Sequence, residues 1–183
     1  MMTDNITLRP AQPDDADRAA VLLYSAYLHR QVDYPLHEEG ENQFLERLQH
    51  YFREVRNRVG YQFIQVAEHR GEVVGLVLSF GGREEERLNA AVGWQLERES
   101  EEDEWYDALA VFTNCGRKGI GTSLLQAAEQ QARQHGYPKI ALNVARENEQ
   151  ALSLYQRLQY VVTQQTLLYH HPHVRLVKQL DNG

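Results

Sequence analysis

The chain has 183 residues, 42% of them hydrophobic and 25% charged, which fits one globular domain over residues 1–183. A net charge of −7 argues against a nucleic-acid-binding protein that works through a basic electrostatic field. A single cysteine excludes an internal disulfide framework and indicates a reducing compartment. The sequence contains no bilayer-spanning apolar run and no signal-peptide core. We therefore expect a cytoplasmic protein with neither a membrane nor a nucleic acid as partner.

The first sixty residues predict a strand followed by two helices. The residues Ile6 to Arg9 form a short strand, and Asp14 or Asp15 is placed to cap a helix that runs to about Gln31. The segment ENQFLERLQHYFREVRNRVG repeats apolar residues at the helical period. It predicts a second amphipathic helix that is closed by Gly60.

A hairpin and an acidic segment follow. Two strand-like runs flank a polar turn centred on Arg70–Gly71, which predicts a hairpin. Between Arg83 and Glu104 the chain carries nine carboxylates, and Leu88 is one of the apolar residues there that could anchor a helix. The run EWYDALAVFT then returns to strand character.

The last third of the chain alternates helices and strands. An apolar stripe predicts a helix from Ile120, which ends with Gly136 and then Pro138. KIALNVA alternates in the manner of a strand, and a short helix that Asn148 can cap comes next. YVVTQQTLLY and HVRLVKQL supply two more strands. With no linker and no internal repeat, this order predicts one α/β domain with a mixed sheet.

The stretch CGRKGIGTSLL places three glycines and two basic residues at the start of a helix. Helix N-termini carry unpaired N–H groups and partial positive charge, so the pattern indicates a phosphate-binding loop. A P-loop would need lysine where Thr122 stands, and a dinucleotide fingerprint would need glycine where Leu124 stands. Neither motif is satisfied. Nothing in the sequence pairs Cys115 with a base, which favours a structural thiol.

A third phosphate-binding pattern, [RQ]-x-x-G-x-[GA] between a strand and a helix, fits better. The run LAVFTNCGRKGIGTSLL resembles the acetyl-CoA pyrophosphate loop of the GNAT N-acetyltransferases. LNVARENEQALSLYQRLQY is similar to that family's asparagine, helix and tyrosine segment, and ITLRPAQPDDADRAAVLLY resembles its first strand and helix. Two departures are Gly116, at the usual Arg or Gln position, and Gln159, where a glycine often follows the second helix. The resemblance implies a GNAT-type mixed, twisted central sheet flanked by helices.

The resemblance also implies acetyl-CoA as cosubstrate, no metal, and direct transfer of the acetyl group to an amine in a ternary complex. Tyr155 is then expected to protonate the departing thiolate, and the Val111 N–H to polarise the thioester carbonyl. Asn148 and Tyr155 are two helical turns apart and so share one face, about 10 Å from each other. The residues expected to contact the cosubstrate are Val111, Phe112, Thr113, Gly116, Arg117, Lys118, Gly119, Ile120, Gly121, Thr122, Asn148 and Tyr155.

Amine acetylation needs a base as well, because only the neutral amine attacks. Family members that acetylate protein N-termini often carry a glutamate in the strand after the loop helix, where this chain has Asn143. On the strand before the loop, alternation puts Asp107 on one face with Trp105 and Leu109. Asp107 is therefore the first candidate base and Glu104 the second. Either carboxylate also fits an ordinary surface or structural role.

The acceptor is expected to be an amine-bearing small molecule or peptide. The acidic segment favours a cationic acceptor such as a polyamine, an aminoglycoside or a lysine-bearing peptide, although a solvated acidic face explains it equally well. Tyr24, Tyr27 and Tyr34 are expected in the core and at the rim of the acceptor pocket. The resemblance leaves a homodimer open, since many members pair.

Two further functions stay open from the sequence. One is a non-catalytic acyl-CoA-binding or sensing module, which keeps the loop but lacks a working base. The other is a structural or interaction domain with a vestigial loop. The YHHPHV cluster carries three histidines, but its proline-broken spacing and the lack of a nearby cysteine or carboxylate disfavour a metal site.

Overall fold

The computed structural model describes residues 6–28, 40–91, 104–111, 119–168 and 171–180. A seven-stranded sheet has the order β1-β2-β3-β4-β5-β7-β6. Its strands are β1 (Ile6–Pro10), β2 (Ile64–His69), β3 (Glu72–Gly81), β4 (Glu104–Val111), β5 (Lys139–Ala145), β6 (Val161–Leu168) and β7 (His171–Gln179). The helices described are α1 (Ala16–Leu28), α2 (Glu41–Arg53), α3 (Glu85–Ala90), α4 (Ile120–Gln134) and α5 (Glu149–Arg157). The predicted order of the elements is confirmed.

The sheet is mixed, as predicted. Neighbouring strands pair antiparallel except for β4 and β5, which are parallel. A parallel pair needs a crossover, and here the chain crosses through α4. The parallel pair lies in the interior of the sheet, with three strands on one side and two on the other.

Helices cover the two faces of the sheet with separate apolar cores. We call them the α1/α2 face and the α4 face. The core of the α1/α2 face includes Leu22, Leu23, Phe44, Leu48, Phe52, Leu76, Leu78 and Phe80. The core of the α4 face includes Val77, Ile120, Leu124, Leu125, Ala128, Ile140, Leu142, Val144, Val174 and Leu176. Each fully buried leucine or phenylalanine contributes about 1.5–3 kcal/mol by leaving water.

Two predicted turns are confirmed by their backbone angles. Arg70 (φ 53°) and Gly71 (φ 82°) both adopt positive φ, which matches the twist of the hairpin between β2 and β3. After α4 ends at Gln134, Gly136 adopts the left-handed conformation (φ 75°) and its N–H donates to the Arg133 carbonyl. The local sequence is therefore sufficient to predict both turns.

The prediction that the second helix runs to Gly60 is wrong, because α2 ends at Arg53. Asn57 accounts for the early end. Its Nδ2 donates to the main-chain carbonyls of Tyr51 (2.9 Å) and Glu54 (3.3 Å). An asparagine that satisfies such carbonyls offers the chain an alternative to another helical turn, whatever the apolar period suggests.

The predicted cap of the first helix is wrong as well. Gln12, rather than Asp14 or Asp15, is the N-cap of a 3-10 turn that leads into α1. The Asp15 carboxylate accepts the Gln12 N–H at 2.8 Å and two bonds from the Arg9 guanidinium, each 2.8 Å. Asp15 thus ties the start of α1 to β1. The Arg9 guanidinium holds the pKa of Asp15 below its usual value.

The acidic segment is described only at its two ends. Its first part forms α3, where Leu88 is fully buried, so the prediction of Leu88 as a helical anchor is confirmed. Residues 92–103 lie outside the described residues, as does the predicted end of the first helix. Within the described ranges, no helix is both long and apolar enough to cross a membrane.

Candidate active site

The two parallel strands separate in the middle of the sheet. Their pairing runs from Glu104↔Lys139 to Tyr106↔Ala141 and ends there. β4 nevertheless continues to Val111 and β5 to Ala145. Among the described residues of the two strands, no β4–β5 pair follows Tyr106↔Ala141. We call this opening the β4/β5 gap; its main-chain N–H and C=O groups are suited to bind an extended ligand.

The start of α4 lies at the open end of this gap. A right-handed crossover from β4 to β5 places the helix N-terminus beyond the carboxyl ends of both strands. Gly119 is the N-cap in the left-handed conformation (φ 72°, ψ 11°), and its carbonyl accepts the Ser123 N–H at 3.0 Å. Apart from its chain neighbours, no heavy atom of the described residues lies within 4 Å of where a Cβ of residue 119 would be. The described part of the protein therefore leaves the space beside Gly119 open.

The first turn of α4 presents backbone rather than side chains. Ile120 and Gly121 are buried and anchor the helix on the sheet. The N–H groups of a helix's first turn have no intrahelical acceptors and carry partial positive charge. Gly119 to Thr122 thus form the described part of the predicted loop. Residues 112–118, which include Phe112, Thr113, Gly116, Arg117 and Lys118, lie outside the described residues, so their contacts stay predictions.

Asn148 follows the carboxyl end of β5, and Tyr155 lies two turns further along the chain on α5. Asn148 is the N-cap of α5, and its Oδ1 accepts the Ala151 N–H at 3.1 Å. The predicted capping role is confirmed, and its contact with a cosubstrate stays a prediction. Tyr155 is buried in the core of the α4 face, with its ring edge-to-face on Tyr160 at 5.4 Å. Its role as an acid also stays a prediction.

The two candidate bases occupy different parts of β4. Glu104 lies within the paired part, in register with Lys139. Asp107 comes directly after Tyr106, at the residue where the β4/β5 gap begins, and is opposite Ser79 on β3. The strand thus brings Asp107 closer than Glu104 to the open end. Neither assignment is tested by this placement.

The aromatic residues expected near the acceptor pocket are partly described. Tyr24 packs its ring 5.8 Å from that of Phe44 in the core of the α1/α2 face. Burial raises the pKa of Tyr24, and the Glu41 carboxylate adds to the effect. Tyr27 lies on the last turn of α1. Tyr34 lies outside the described residues.

Sequence reasoning missed a row of buried polar residues on β5 and β7. His173 and Arg175 are only 2% and 3% exposed, and Arg175 lies opposite Asn143 in the sheet. The alternation in HVRLV was a signal, since polar residues alternate there with Val174 and Leu176. Within the described residues, no group of three or more His, Cys, Asp or Glu side chains is placed to hold a metal ion.

Comparison with known proteins connects these features. The family model for the Acetyltransferase (GNAT) family matches residues 23–160. An N-acetyltransferase from Staphylococcus aureus Mu50 is 25% identical, with a TM-score of 0.84 over 94% of this chain and 100% of its own.

Two more distant structures share the fold. yncA, a putative acetyltransferase from Salmonella typhimurium solved with its cofactor acetyl-CoA, is 18% identical, with a TM-score of 0.65 over 97% of this chain and 95% of its own. An agmatine N-acetyltransferase is 16% identical, with a TM-score of 0.65 over 97% of this chain and 100% of its own. The family match spans well over half of the sequence, and the chain therefore belongs to the GNAT family of acetyltransferases.

Proposed function

We propose that this acetyltransferase moves the acetyl group of acetyl-CoA to a primary amine by direct attack in a ternary complex. The observation that carries the proposal is the β4/β5 gap with the start of α4 at its open end. Family membership supports acetyl transfer, yncA was solved with acetyl-CoA, and the agmatine enzyme is named for an amine acceptor.

The helix start fits the pyrophosphate of the cosubstrate. A pyrophosphate carries about two negative charges, and main-chain N–H groups with a helix dipole can bind it without side chains. Gly119 has positive φ and no side chain, and no other described residue occupies the space beside it, so a phosphate could approach the backbone closely. Together with Gly116, Arg117 and Lys118, residues Gly119 to Thr122 would hold this group.

Other residues would act at the thioester that acetyl-CoA supplies. The Val111 N–H, at the end of β4, would polarise the thioester carbonyl and stabilise the charge that develops on its oxygen. Tyr155 would give its phenolic proton to the departing sulfur. Asn148 would hold the cosubstrate while it caps α5. On β4, Asp107 and then Glu104 are the sequence-based candidates for the base.

The acceptor is proposed to be an amine-bearing small molecule or peptide. Most of the acidic segment lies outside the described residues, so a preference for cationic acceptors stays a sequence-based prediction. A cytoplasmic location and a homodimer stay predictions too.

A thiol-release assay tests the proposal. The protein is incubated with acetyl-CoA and a panel of polyamines, aminoglycosides, amino acids and peptides, and free CoA is measured. We expect release with at least one amine. A protein that binds CoA in calorimetry yet releases no thiol would instead be the sensing module, and one without any CoA binding would have a vestigial loop.

A further inference from the structure

Asn143, His173 and Arg175 form a polar row on the α1/α2 face of the sheet. Residues on either side of them in the sequence, Leu142, Val144, Val174 and Leu176, belong to the core of the α4 face. Since successive side chains of a strand alternate, the polar residues face the other way. Asn143 pairs with Arg175 and Ala145 pairs with His173, which sets the row across two neighbouring strands.

Polar side chains of these types are seldom as buried as they are in this row. His173 and Arg175 are nearly inaccessible, and the Asn143 Oδ1 is enclosed without a hydrogen-bond donor among the described residues. A buried carbonyl oxygen without a donor is destabilising, and native structures keep few of them. The Asn143 Oδ1 is therefore available to accept a hydrogen bond from an N–H or O–H group of a bound molecule.

The location of Asn143 indicates which ligand. It lies on β5, the strand that borders the β4/β5 gap, two residues beyond the last pairing with β4 at Ala141. Tyr155 and the buried residues of α4 lie on the α4 face. A thioester bound in the gap from the side of α4 is thus open to an acceptor from the α1/α2 face, where the polar row is.

His173 has a defined tautomer. Its Nδ1 lies 2.9 Å from the His171 carbonyl oxygen. A carbonyl only accepts hydrogen bonds, so Nδ1 carries the hydrogen and the lone pair of the neutral ring is on Nε2. Asn143 and His173 are diagonal neighbours on adjacent strands, about 7–8 Å apart between Cα atoms, a separation that one small group can bridge.

We propose that Asn143 and His173 form the amine end of the acceptor site, an inference that rests on the proposed function. The Asn143 Oδ1 accepts an N–H of the acceptor amine, and the His173 Nε2 takes its proton, directly or through one water. An asparagine amide cannot itself serve as the base at neutral pH. A histidine in the adjacent strand can, and it replaces Asp107 and Glu104 in that role.

The amine arrives as an ammonium ion and loses one proton to Nε2, which leaves a lone pair on nitrogen. That pair forms the C–N bond while the C–S bond breaks, and Tyr155 protonates the sulfur. The nitrogen loses a second proton, which restores the tyrosine, and His173 releases the first to solvent. The products are the acetylated amine, CoA thiol and one proton.

His173→Gln tests the role of the base, and Asn143→Leu tests the binding of the amine. His135→Gln is the control, because His135 is exposed and lies just after α4, at the end away from the candidate site. With saturating acetyl-CoA and an acceptor from the amine panel, we expect His173→Gln to lower kcat by at least about 100-fold at a nearly unchanged KM for the amine. Asn143→Leu keeps the size of the side chain and should lower kcat/KM for the amine by about 10- to 100-fold, mainly through KM. The affinity for CoA should stay unchanged in all three variants.

Retention of kcat within about threefold in His173→Gln, or of kcat/KM in Asn143→Leu, overturns the inference while the proposed function stands. Loss of kcat in Asp107→Asn with His173→Gln active would return the role of base to β4. A wild-type protein that binds CoA but acetylates no amine overturns both proposals together. Should His173→Gln not fold, the ¹⁵N resonance of the wild-type His173 Nε2 must shift on addition of acceptor and CoA, and an unmoved resonance contradicts the inference.

Discussion

Lys178 of β7 bonds both carboxylate oxygens of Glu129 on α4, at 2.9 and 2.8 Å. The Glu129 side chain is 4% exposed and that of Lys178 17%, and the Lys178 ammonium also lies 5.6 Å above the ring of Tyr160. This buried pair joins the helix that begins at the candidate site to a strand that carries part of it. Because most of both side chains is removed from water, each charge is stabilised chiefly by the other, while Arg133 also lies 3.7 Å from Glu129.

Glu129→Gln should lower the free energy of unfolding by about 3–5 kcal/mol, since it leaves the Lys178 charge buried without its partner. Urea unfolding monitored by circular dichroism measures the loss. Glu84→Gln is the matched control, because the Glu84–Arg87 pair is as short, 2.9 Å, but exposed, and should change stability by less than about 1 kcal/mol. A loss for Glu129→Gln as small as that of the control would contradict the prediction.

Asp15→Asn should destabilise the protein in a pH-dependent manner. The carboxylate bonds to Arg9 and to the Gln12 N–H, so its loss should cost about 1.5–3 kcal/mol at pH 7. Its pKa in the folded state is below the unfolded value of 3.8, so its contribution is full above that pH and is lost as the pH falls through the folded pKa.

Urea unfolding of wild type and variant between pH 7 and pH 3 checks this sign. The free-energy difference between them should shrink only below about pH 4. Asp14→Asn, at the exposed neighbour, should show no such difference. A difference that stays constant down to the lowest pH at which both fold would refute the assignment.

Much of the fold could be predicted from the sequence, because the signals were local. The hairpin turn at Arg70–Gly71 and the end of α4 each depend on a few adjacent residues. In both, a glycine adopts the positive φ that the turn needs. The end of α2 could not be predicted in the same way. The apolar period continues past Arg53, and the bonds from Asn57 that replace another helical turn become evident only in three dimensions.

The candidate site likewise has some features that local sequence signals predict and others that depend on three-dimensional pairing. The glycine loop and the Asn148 cap follow from short motifs and were predicted. The β4/β5 gap could not be, because strand character continues past the last pair and only the register shows where pairing stops. Asn143 and His173 are 30 residues apart in the chain, and the pairing of β5 with β7 alone makes them neighbours.

Gly119→Ala should weaken both folding and CoA binding. An alanine at φ 72° costs about 1–2 kcal/mol, and its methyl group would enter the space beside the helix start that we assign to the pyrophosphate. Gly71→Ala is the matched control. Gly71 also has positive φ (82°) and no atom of another described residue within 4 Å of its Cβ position, but it lies in the hairpin turn.

Calorimetry and urea unfolding separate the two effects. Both glycine variants should lose similar stability, and only Gly119→Ala should lose affinity for CoA, by about 10-fold or more. Equal CoA affinity in the two variants would count against the helix start as the phosphate site.

Tyr155→Phe should lower kcat by about 100-fold or more while it leaves the affinity for CoA nearly unchanged, because it removes only the proton donor. The edge-to-face packing on Tyr160 is retained in the variant. Tyr160→Phe provides the control, since its ring lies in the same core and has no proposed role in the reaction. Steady-state CoA release with a fixed acceptor distinguishes the two, and equal kcat values would exclude Tyr155 as the acid.

Asn148 offers a way to separate a structural role from a binding role at one residue. Asn148→Ala removes the acceptor of the Ala151 N–H and should cost about 0.5–2 kcal/mol of stability. Asn148→Asp keeps that cap but adds a negative charge. Stability should therefore stay near that of wild type, while the affinity for CoA falls if the side chain also lies beside the anionic cosubstrate. Unfolding and calorimetry on the same two variants check both expectations. An Asn148→Asp protein with wild-type affinity for CoA would reduce Asn148 to a helix cap, and the cosubstrate would then be held by the α4 helix start and the β4/β5 gap without it.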